Sequence, residues 1–353
     1  MRRANVQNLK TGDIIDRAIY TDLGHILLGR GIVLNDSYIS KLKQMGITIV
    51  YIDDEQTSDI IINDIITENH RRDSTMVIKQ ASNSMRVKND FDVVEIKTAV
   101  FNIVEDILGG KEIMLNLADM RSADNQIYSH AVSVCALATV LGKALGLKRG
   151  HLEAMAVGAL LHEIGTTKLP KYLMNKRTPF TAEESAIYQT HSQIGYDILR
   201  GKKNLSILSA HVVLQHHEWL NGCGYPKQLS GNQIHLLAQI VGIVDFYDNL
   251  INDGPGHERV LHNEACELLM ACAGDLFQKD LIITFLRHVA VYPIGSTVKL
   301  STGELGVVIR QNNSLPLRPV VRVYRDGDGK IDFKAREYDL VKDLNILVVD
   351  MFE

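Results

Sequence analysis

Five groups of metal-binding side chains are spaced through the middle of this 353-residue chain. Neutral imidazoles and carboxylates are the groups that bind divalent first-row metal ions. The set is too large for one tetrahedral ion but suits two neighbouring ions. The spacing H-x31-HE-x27-H-x24-HH-x27-D, in helix-patterned segments, therefore indicates a two-metal hydrolytic site inside a helical bundle. The residues are His130, His162, Glu163, His191, His216, His217 and Asp245.

Each of these residue groups, taken alone, is weak evidence for a metal site. A lone histidine in an apolar segment, such as His130 or His191, is more often a structural core residue than a ligand. Adjacent imidazoles on a helix, as at His216 and His217, point about 100° apart, so both serve one site only if a helix end faces it. Asp245 lies in an apolar stretch and needs a cation or several donors to be buried. Their order and spacing together are a strong signal.

A turn follows the double histidine. The run from His216 to Pro226 reads HHEWLNGCGYP, and its two glycines and proline predict a tight turn that locks the preceding histidines in place. The neighbouring Tyr225 and Pro226 are expected to shape the wall of the site.

Composition excludes several classes of function. The chain is 46% hydrophobic and 23% charged with a net charge of −4, so it lacks the basic footprint of a DNA or RNA scaffold. Its four cysteines form no CxxC pair, which indicates free thiols in a reducing compartment. No apolar run approaching the roughly 20 residues of a membrane span is evident, and there is no signal-peptide pattern. We expect a cytoplasmic protein without membrane insertion.

The periodicity predicts a mainly α fold in four parts. Residues 1–54 form a small N-terminal α+β module, 55–117 a helical connector, 118–290 a helical bundle, and 291–353 a small C-terminal β-barrel-like domain or sandwich. The accessory modules are candidates for homodimer contacts or for binding a protein partner.

Local signals predict individual elements. Asn35 caps a helix through Gln44 that Gly46 ends, and Thr181-Ala-Glu-Glu184 is a capping box that opens a helix to about Leu199. Further predictions are a turn at 22–25, strands at 26–28 and 47–52, polar breaks in the connector at 69–74 and 81–89, helices at 233–250 and 262–272, and C-terminal strands at 296–300, 306–310, 320–324 and 346–349.

Residues 120–290 resemble the HD-GYP phosphodiesterases, a subgroup of the HD metal-dependent phosphohydrolase superfamily. The Gly-Tyr-Pro run after the double histidine distinguishes this subgroup and is intact. The resemblance rests on Tyr128-Ser-His130, Gly158-Ala-Leu-Leu-His-Glu-Ile-Gly165, Leu169-Pro170, Lys176, Thr181-Ala-Glu-Glu184, His191-x-x-x-Gly195, His216-His-Glu-x-x-Asn-Gly-x-Gly-Tyr-Pro226 and Asp245-Phe-Tyr-Asp248.

The resemblance implies a helical HD-type domain with two, sometimes three, iron or manganese ions. It implies hydrolysis of cyclic di-GMP to pGpG and onward to GMP by a hydroxide between the metals. Glu163 takes the position of the bridging carboxylate, and the other six ligands are terminal. Candidate catalytic residues are Glu163 and Lys168, and candidate substrate-binding residues are Tyr225, Pro226, Asp248 and Arg259.

The chain departs from the family pattern at four places. Glu163 stands where the family has Asp, Gln126 where trinuclear members have Glu, and Thr166 where a lysine is usual, with Lys168 nearby as its candidate substitute. Gly254 and Gly256 replace an arginine and a tyrosine of the stretch that grips the substrate phosphates, Pro255 is kept, and His257 replaces a second basic residue, with Arg259 as partial compensation.

These departures keep two alternatives open. The first is a catalytically weak or inactive regulator that binds a nucleotide or a protein partner. The second is a phosphohydrolase of another nucleotide, since a fold does not fix a substrate.

Overall fold

The computed structural model describes residues 1–21, 25–54, 57–60, 64–110, 126–174, 176, 178–253, 258–312, 315–326 and 336–352. The chain divides into two compact units. The first contains the two ends of the chain, Met1–Asp64 and Arg287–Glu353, and carries the sheets. The second contains Ile65–Ile113 and Ile127–Leu286 and is helical. The prediction of a mainly α protein with small sheet-bearing modules is confirmed.

The N-terminal part of the first unit is a three-stranded antiparallel sheet, in the order β1-β5-β2, with a two-stranded ladder and one helix. The Asn35 side chain accepts a hydrogen bond from the backbone of Tyr38, and Gly46 follows the helix at φ +67°, as the sequence predicts. The turn expected at 22–25 lies largely outside the described residues. The elements are β1 (Arg2–Asn5), β2 (Ile14–Ile15), β3 (Ile19–Tyr20), β4 (Ile26–Leu28), α1 (Asp36–Gln44) and β5 (Ile49–Asp53).

The C-terminal part is a five-stranded antiparallel sheet in the order β10-β6-β7-β8-β9. Four strands lie where β-branched runs predict them, and the short β9 was missed because its sequence, Glu-Tyr-Asp, carries no such run. Closure into a barrel stays a prediction. The strands are β6 (Thr297–Leu300), β7 (Leu305–Arg310), β8 (Val320–Arg325), β9 (Glu337–Asp339) and β10 (Val348–Phe352).

Polar contacts join the two chain ends within this unit. The guanidinium of Arg322 donates to both carboxylate oxygens of Asp59, at 2.6 and 2.8 Å. The backbone N–H of Arg3 donates to the carbonyl of Gly295 at 3.0 Å. Segments that are far apart in sequence thus share one compact unit.

Helices α4 and α9 form the centre of the second unit, because both are apolar on nearly every face and are therefore buried. The helices are α2 (Glu68–Lys88), α3 (Val93–Gly109), α4 (Gln126–Ala144), α5 (Arg149–Leu160), α6 (Lys171–Met174), α7 (Ala182–Arg200), α8 (Ile207–Gln215), α9 (Leu236–Leu250), α10 (His262–Ala271) and α11 (Lys279–Leu286).

Helix α2 runs unbroken through residues 69–74 and 81–88, so the predicted breaks there are wrong, and only Asn89, at the end of the second break, ends the helix. The Thr67 side chain caps its first turn by accepting from the backbone of His70. Ile78, Ala81 and Met85 then form a buried stripe along it. Packing of that stripe outweighs the weak helix propensity of the intervening Ser and Asn residues.

Helix α4 is long and apolar enough to cross a membrane by length and composition, and 67% of its most apolar stretch is buried inside the protein. Such burial is what a core helix shows. The expectation that no apolar run approaches span length overlooked this helix, because Ser129, His130 and Ser133 interrupt the run.

Candidate metal centre

The seven candidate ligands lie in two groups of converging donor atoms. Within each group, the donor atoms all lie within 4.8 Å of one another. One group contains His130, His162 and Asp245, and the other contains Glu163, His191, His216 and His217.

Five helices and one turn position these side chains. His130 lies in α4, His191 in α7 and Asp245 in α9, while His162 and Glu163 lie between the end of α5 and the 3-10 turn Ile164–Lys168. Helix α8 ends at Gln215, so its C-terminal end presents the adjacent histidines. This is the arrangement that two neighbouring imidazoles need in order to serve one site. The fold thus gathers ligands from segments up to 115 residues apart.

Close backbone approach at two glycines brings the ligand-bearing elements together. A Cβ placed on Gly165 would lie 2.0 Å from the carbonyl oxygen of His191. A Cβ on Gly242, in α9, would lie 2.6 Å from the carbonyl oxygen of His216. Both distances are far below van der Waals contact, so any larger residue would push the ligands apart.

Three histidines are each held in one tautomer by a hydrogen bond to a nearby backbone carbonyl. The Nδ1 atoms of His162, His191 and His216 lie 2.7, 2.8 and 2.8 Å from the carbonyl oxygen three residues earlier. Because a carbonyl only accepts, each Nδ1 carries the proton and each Nε2 keeps its lone pair. Ligand lone pairs are therefore oriented before any ion binds.

His130 is held by a carboxylate instead. Its Nδ1 lies 2.6 Å from Oδ2 of Asp248, and its Nε2 lies 3.0 Å from Oδ1 of Asp245 and 3.1 Å from Nε2 of His162. Burial disfavours the charged imidazolium, but the two carboxylates outweigh burial and raise the pKa of His130 to about 10.

The other groups are poised as ligands. Burial raises the pKa of Asp245, but the hydrogen bond from His130 and the neighbouring imidazoles outweigh burial and hold that pKa well below its usual value. Burial lowers the pKa of His217 to about 4 and holds the pKa of His216 well below its usual value. An ionised carboxylate and neutral imidazoles are the protonation states that bind a metal.

Two buried atoms of the second group have no hydrogen-bond partner among the described residues. They are Oε2 of Glu163 and Nε2 of His217. A buried polar atom left unsatisfied costs roughly 1–3 kcal/mol, so such atoms need a partner that the protein itself does not supply. The donor set and these two atoms fit divalent metal ions.

The Gly-Tyr-Pro turn covers the second group. The Tyr225 ring lies 4.6 Å from the His217 ring, centre to centre, and its backbone N–H donates to the carbonyl of His217. Sequence reasoning missed Glu218, whose buried carboxylate accepts from the backbone of Lys227 and Leu229 at 2.7 and 2.8 Å. The His-His-Glu sequence was the available signal. Half-buried Pro226 follows Tyr225 on this turn.

Two predicted site residues make contacts that their predicted roles did not include. Asp248 is fully buried and its carboxylate is hydrogen-bonded to His130, so it positions a ligand, and its contact with substrate stays a prediction. Lys168 is not placed among the ligands, because its Nζ donates to the carbonyl of Met85 in α2 at 2.8 Å. The 3-10 turn after Glu163 sends this side chain toward α2.

The predicted phosphate-binding stretch is only partly visible. Residues 254–257, with Gly254, Pro255, Gly256 and His257, lie outside the described residues. The backbone N–H of Arg259 donates to the carboxylate of Asp253 at 3.0 Å, and its role toward substrate stays a prediction.

Sequence reasoning also missed a cation near Glu163. Arg86, in the last turn of α2, lines a narrow cavity of about 20 Å³ together with Tyr128, Glu163 and Thr166. Its side chain is exposed and makes no hydrogen bond or ion pair with any described residue. No sequence signal marks it, because only the packing of α2 on the 3-10 turn brings it there.

Known proteins share these features. Residues 112–281 match the family model for the HD domain, and residues 297–353 match the model for a KOW domain associated with the HD domain. The chain is 31% identical over 255 residues to a cyclic di-GMP phosphodiesterase of Pseudomonas aeruginosa, covering 72% of this chain and 61% of that protein. It is 28% identical over 180 residues to the 3'3'-cGAMP-specific phosphodiesterase 2 of Vibrio cholerae, covering 50% and 34% of the two chains.

A solved structure shows the same fold. An HDG"Y"P protein from Bdellovibrio bacteriovorus superposes with a TM-score of 0.54 at 21% identity, covering 80% of this chain and 97% of that one. An HD domain covers residues 112–281, just under half of the chain, and the predicted resemblance to the HD-GYP phosphodiesterases is confirmed. It spans less than two thirds of the length of the two enzymes compared.

Proposed function

We propose that this protein is a metal-dependent phosphodiesterase that hydrolyses cyclic di-GMP to pGpG and onward to GMP. The observation that carries the proposal is the gathering of seven donor side chains into two groups. The second group has two buried atoms, on Glu163 and His217, without a hydrogen-bond partner among the described residues. Sequence relatives that are cyclic di-GMP and 3'3'-cGAMP phosphodiesterases support the substrate class.

The two groups would hold two divalent ions, iron or manganese, and Glu163 would be a ligand in the second group. When bound, such ions polarise a phosphoryl oxygen and lower the pKa of water. The protein's own part is positioning. Carbonyl groups and Asp248 fix the imidazoles, Tyr225 and Pro226 form one wall, and the guanidinium of Arg86 offers a donor to a phosphate near Glu163.

A direct assay tests the proposal. Protein loaded with Fe(II) or Mn(II) is incubated with cyclic di-GMP, and pGpG and GMP are separated by chromatography. His162→Ala is the control, because it removes one ligand from the first group. We expect metal-dependent turnover that the variant loses, and turnover no greater than that of the variant would refute the proposal.

One observation favours a second candidate, a regulator that binds nucleotide without cleaving it. Lys168 contacts Met85, so the turn after Glu163 provides no free ammonium group for the scissile phosphate. Binding of cyclic di-GMP without product, in protein carrying less than one metal per chain, would identify a regulator.

A nucleotide panel addresses the third reading, a phosphohydrolase of another nucleotide. Cyclic di-GMP, 3'3'-cGAMP, cyclic di-AMP and nucleoside monophosphates are compared at equal concentration. Faster turnover of any compound other than cyclic di-GMP would replace the proposed substrate while leaving the metal chemistry in place.

A further inference from the structure

Helix α3 is apolar on two faces, although only one of them packs inside its unit. The outer face carries three large apolar residues spaced by seven, namely Val94, Phe101 and Leu108, which are 68%, 50% and 37% exposed. A helix that is apolar on both sides is normally covered on both sides. The buried inner face consists of Ile96, Ala99, Val100, Ile103, Val104 and Ile107.

A groove adjoins this outer face. Its volume is about 470 Å³, and its walls include Val94 and Phe101 of α3, Val157 of α5 and the nearby Leu205. Ile207, at the start of α8, is a further apolar residue that is 53% exposed. An apolar surface continued by a groove is typical of a protein interaction site.

We propose that this face binds the same face of a second copy of the chain, with the two α3 helices antiparallel about a two-fold axis at Phe101. A two-fold interface must be complementary to itself. In this register Phe101 faces its own copy and Val94 faces Leu108. Lys97, four residues before the axis, faces Glu105, four residues after it, so both copies form an opposite-charge pair.

The seven-residue spacing supports this geometry. Apolar residues that repeat every seven positions keep one seam facing a partner helix as two helices wind around each other. Charged residues beside such a seam select partner and orientation. The spacing of Lys97 and Glu105 about Phe101 favours the antiparallel arrangement, since a parallel one would place each charge beside its own copy.

The acidic residue of this face, Glu105, is already held by an ion pair within the single chain. Nη2 of Arg149 donates to Oε1 of Glu105 at 2.6 Å, and the same guanidinium lies 5.6 Å from the centre of the Phe101 ring. Lys97 forms no ion pair with any described residue. The face therefore presents a held carboxylate and an uncommitted ammonium group.

The interface is small. The 17 residues of α3 span about 26 Å, so we expect a buried area near the lower limit of stable complexes, on the order of 1,200 Å². The expected dissociation constant is in the micromolar range.

Sedimentation velocity of the full-length chain between 1 and 100 µM tests the proposal. The wild type is expected to shift from monomer to dimer, and Phe101→Glu is expected to remain monomeric throughout. Leu344→Glu, at a 67% exposed leucine of the other unit, is the matched control and should dimerise normally. Circular dichroism and Tm establish that each variant is folded.

Mixing two charge variants tests the register. Lys97→Glu and Glu105→Lys each place like charges opposite each other in a homodimer, so each alone should dimerise at least tenfold more weakly. Mixed together, they regain two opposite-charge pairs and should form a heterodimer. A wild type that is monomeric at 100 µM, a Phe101→Glu protein that still dimerises, or a mixture without heterodimer would each overturn the proposal, as would binding of monomers to phospholipid vesicles through this face.

Discussion

Asp248 orients His130 through a hydrogen bond between two buried side chains, with 2.6 Å between Oδ2 and Nδ1. The bond places the proton on Nδ1 and turns Nε2 toward Asp245 and His162. The three other histidines with a held tautomer use a backbone carbonyl for this purpose. A carboxylate is a stronger acceptor, so it makes His130 the more basic ligand.

Replacing Asp248 with asparagine should therefore weaken metal binding. Asparagine can still accept from Nδ1, but the loss of charge removes the electrostatic support for His130. We expect a 10- to 100-fold lower affinity for Mn(II) at the first group, as for other outer carboxylates behind metal-binding histidines. Isothermal titration calorimetry measures it.

Asp280→Asn is the control for this variant, because Asp280 is an exposed acid of α11 outside both ligand groups. It should bind Mn(II) as the wild type does. Equal affinities of the wild type and Asp248→Asn would show that the carboxylate is not needed to orient His130.

Gly165→Ala should disrupt the centre through sterics alone. The new methyl group would lie 2.0 Å from the carbonyl oxygen of His191, so the turn that follows Glu163 must move away from α7. We expect the variant to contain less than half of the wild-type amount of metal, measured by elemental mass spectrometry, and to have a Tm lower by several degrees.

Gly29→Ala is its matched control, because a Cβ there meets nothing within 4 Å and its φ is not in the left-handed region. Its metal content and Tm should match the wild type. If Gly165→Ala also matches the wild type, close approach at this glycine does not determine the geometry of the ligands.

The ligand groups could be predicted from sequence because each ligand type is unusual in its setting. An acid such as Asp245 within an apolar helix, and adjacent imidazoles at a helix end, are costly unless something binds them. The capping signals at Asn35 and Thr181 are equally local, and the structure confirms both. Features that depend on residues close together in sequence can therefore be predicted from the sequence.

The misread features depend on packing between distant segments. From the sequence alone, Asp248 resembles a second acid of the site. In the structure it is hydrogen-bonded to His130 of α4, which is 118 residues away in sequence. Lys168 contacts Met85, and Arg86 lines a cavity with Glu163, because α2 packs beside the turn after Glu163. Neither the periodicity of apolar residues nor the spacing of motifs indicates which side of a helix packs against a neighbouring turn.

Metal binding to the first group should release a proton. In the metal-free protein the pKa of His130 is raised to about 10, so its imidazole is charged at pH 7 and must lose a proton to become a ligand. The pKa of His217 is lowered to about 4, so that ligand is already neutral. Affinity for Mn(II) should therefore rise about tenfold per pH unit from pH 7 toward pH 10, since one proton competes with the ion.

Calorimetry at pH 7 in two buffers of different ionisation enthalpy counts the released protons. We expect close to one proton per ion at the first group and none attributable to His217. Release of no proton, together with an affinity independent of pH between 7 and 9, would contradict the assignment of His130 as the charged ligand.

Arg86→Ala should weaken substrate binding while leaving the metal centre intact. Arg86 lines the same narrow cavity as Glu163 and Thr166 and makes no hydrogen bond or ion pair with any described residue, so its guanidinium is available to a phosphate oxygen. A charge-assisted contact is worth roughly 1.5–3 kcal/mol, which corresponds to a KM for cyclic di-GMP about 10- to 150-fold higher. Arg86→Lys keeps the charge but not the two-pronged geometry, so it should recover part of that loss.

Lys88→Ala is the control for position and charge, because Lys88 is an exposed cation two residues further along α2 and does not line the cavity. Its KM should stay near the wild-type value. Metal content distinguishes two explanations of a higher KM in Arg86→Ala. Loss of metal would indicate a structural role, whereas retained metal would indicate a lost phosphate contact. Because the turn after Glu163 sends Lys168 to Met85, Arg86 is the cation best placed to replace it, and an unchanged KM in Arg86→Ala would exclude that replacement.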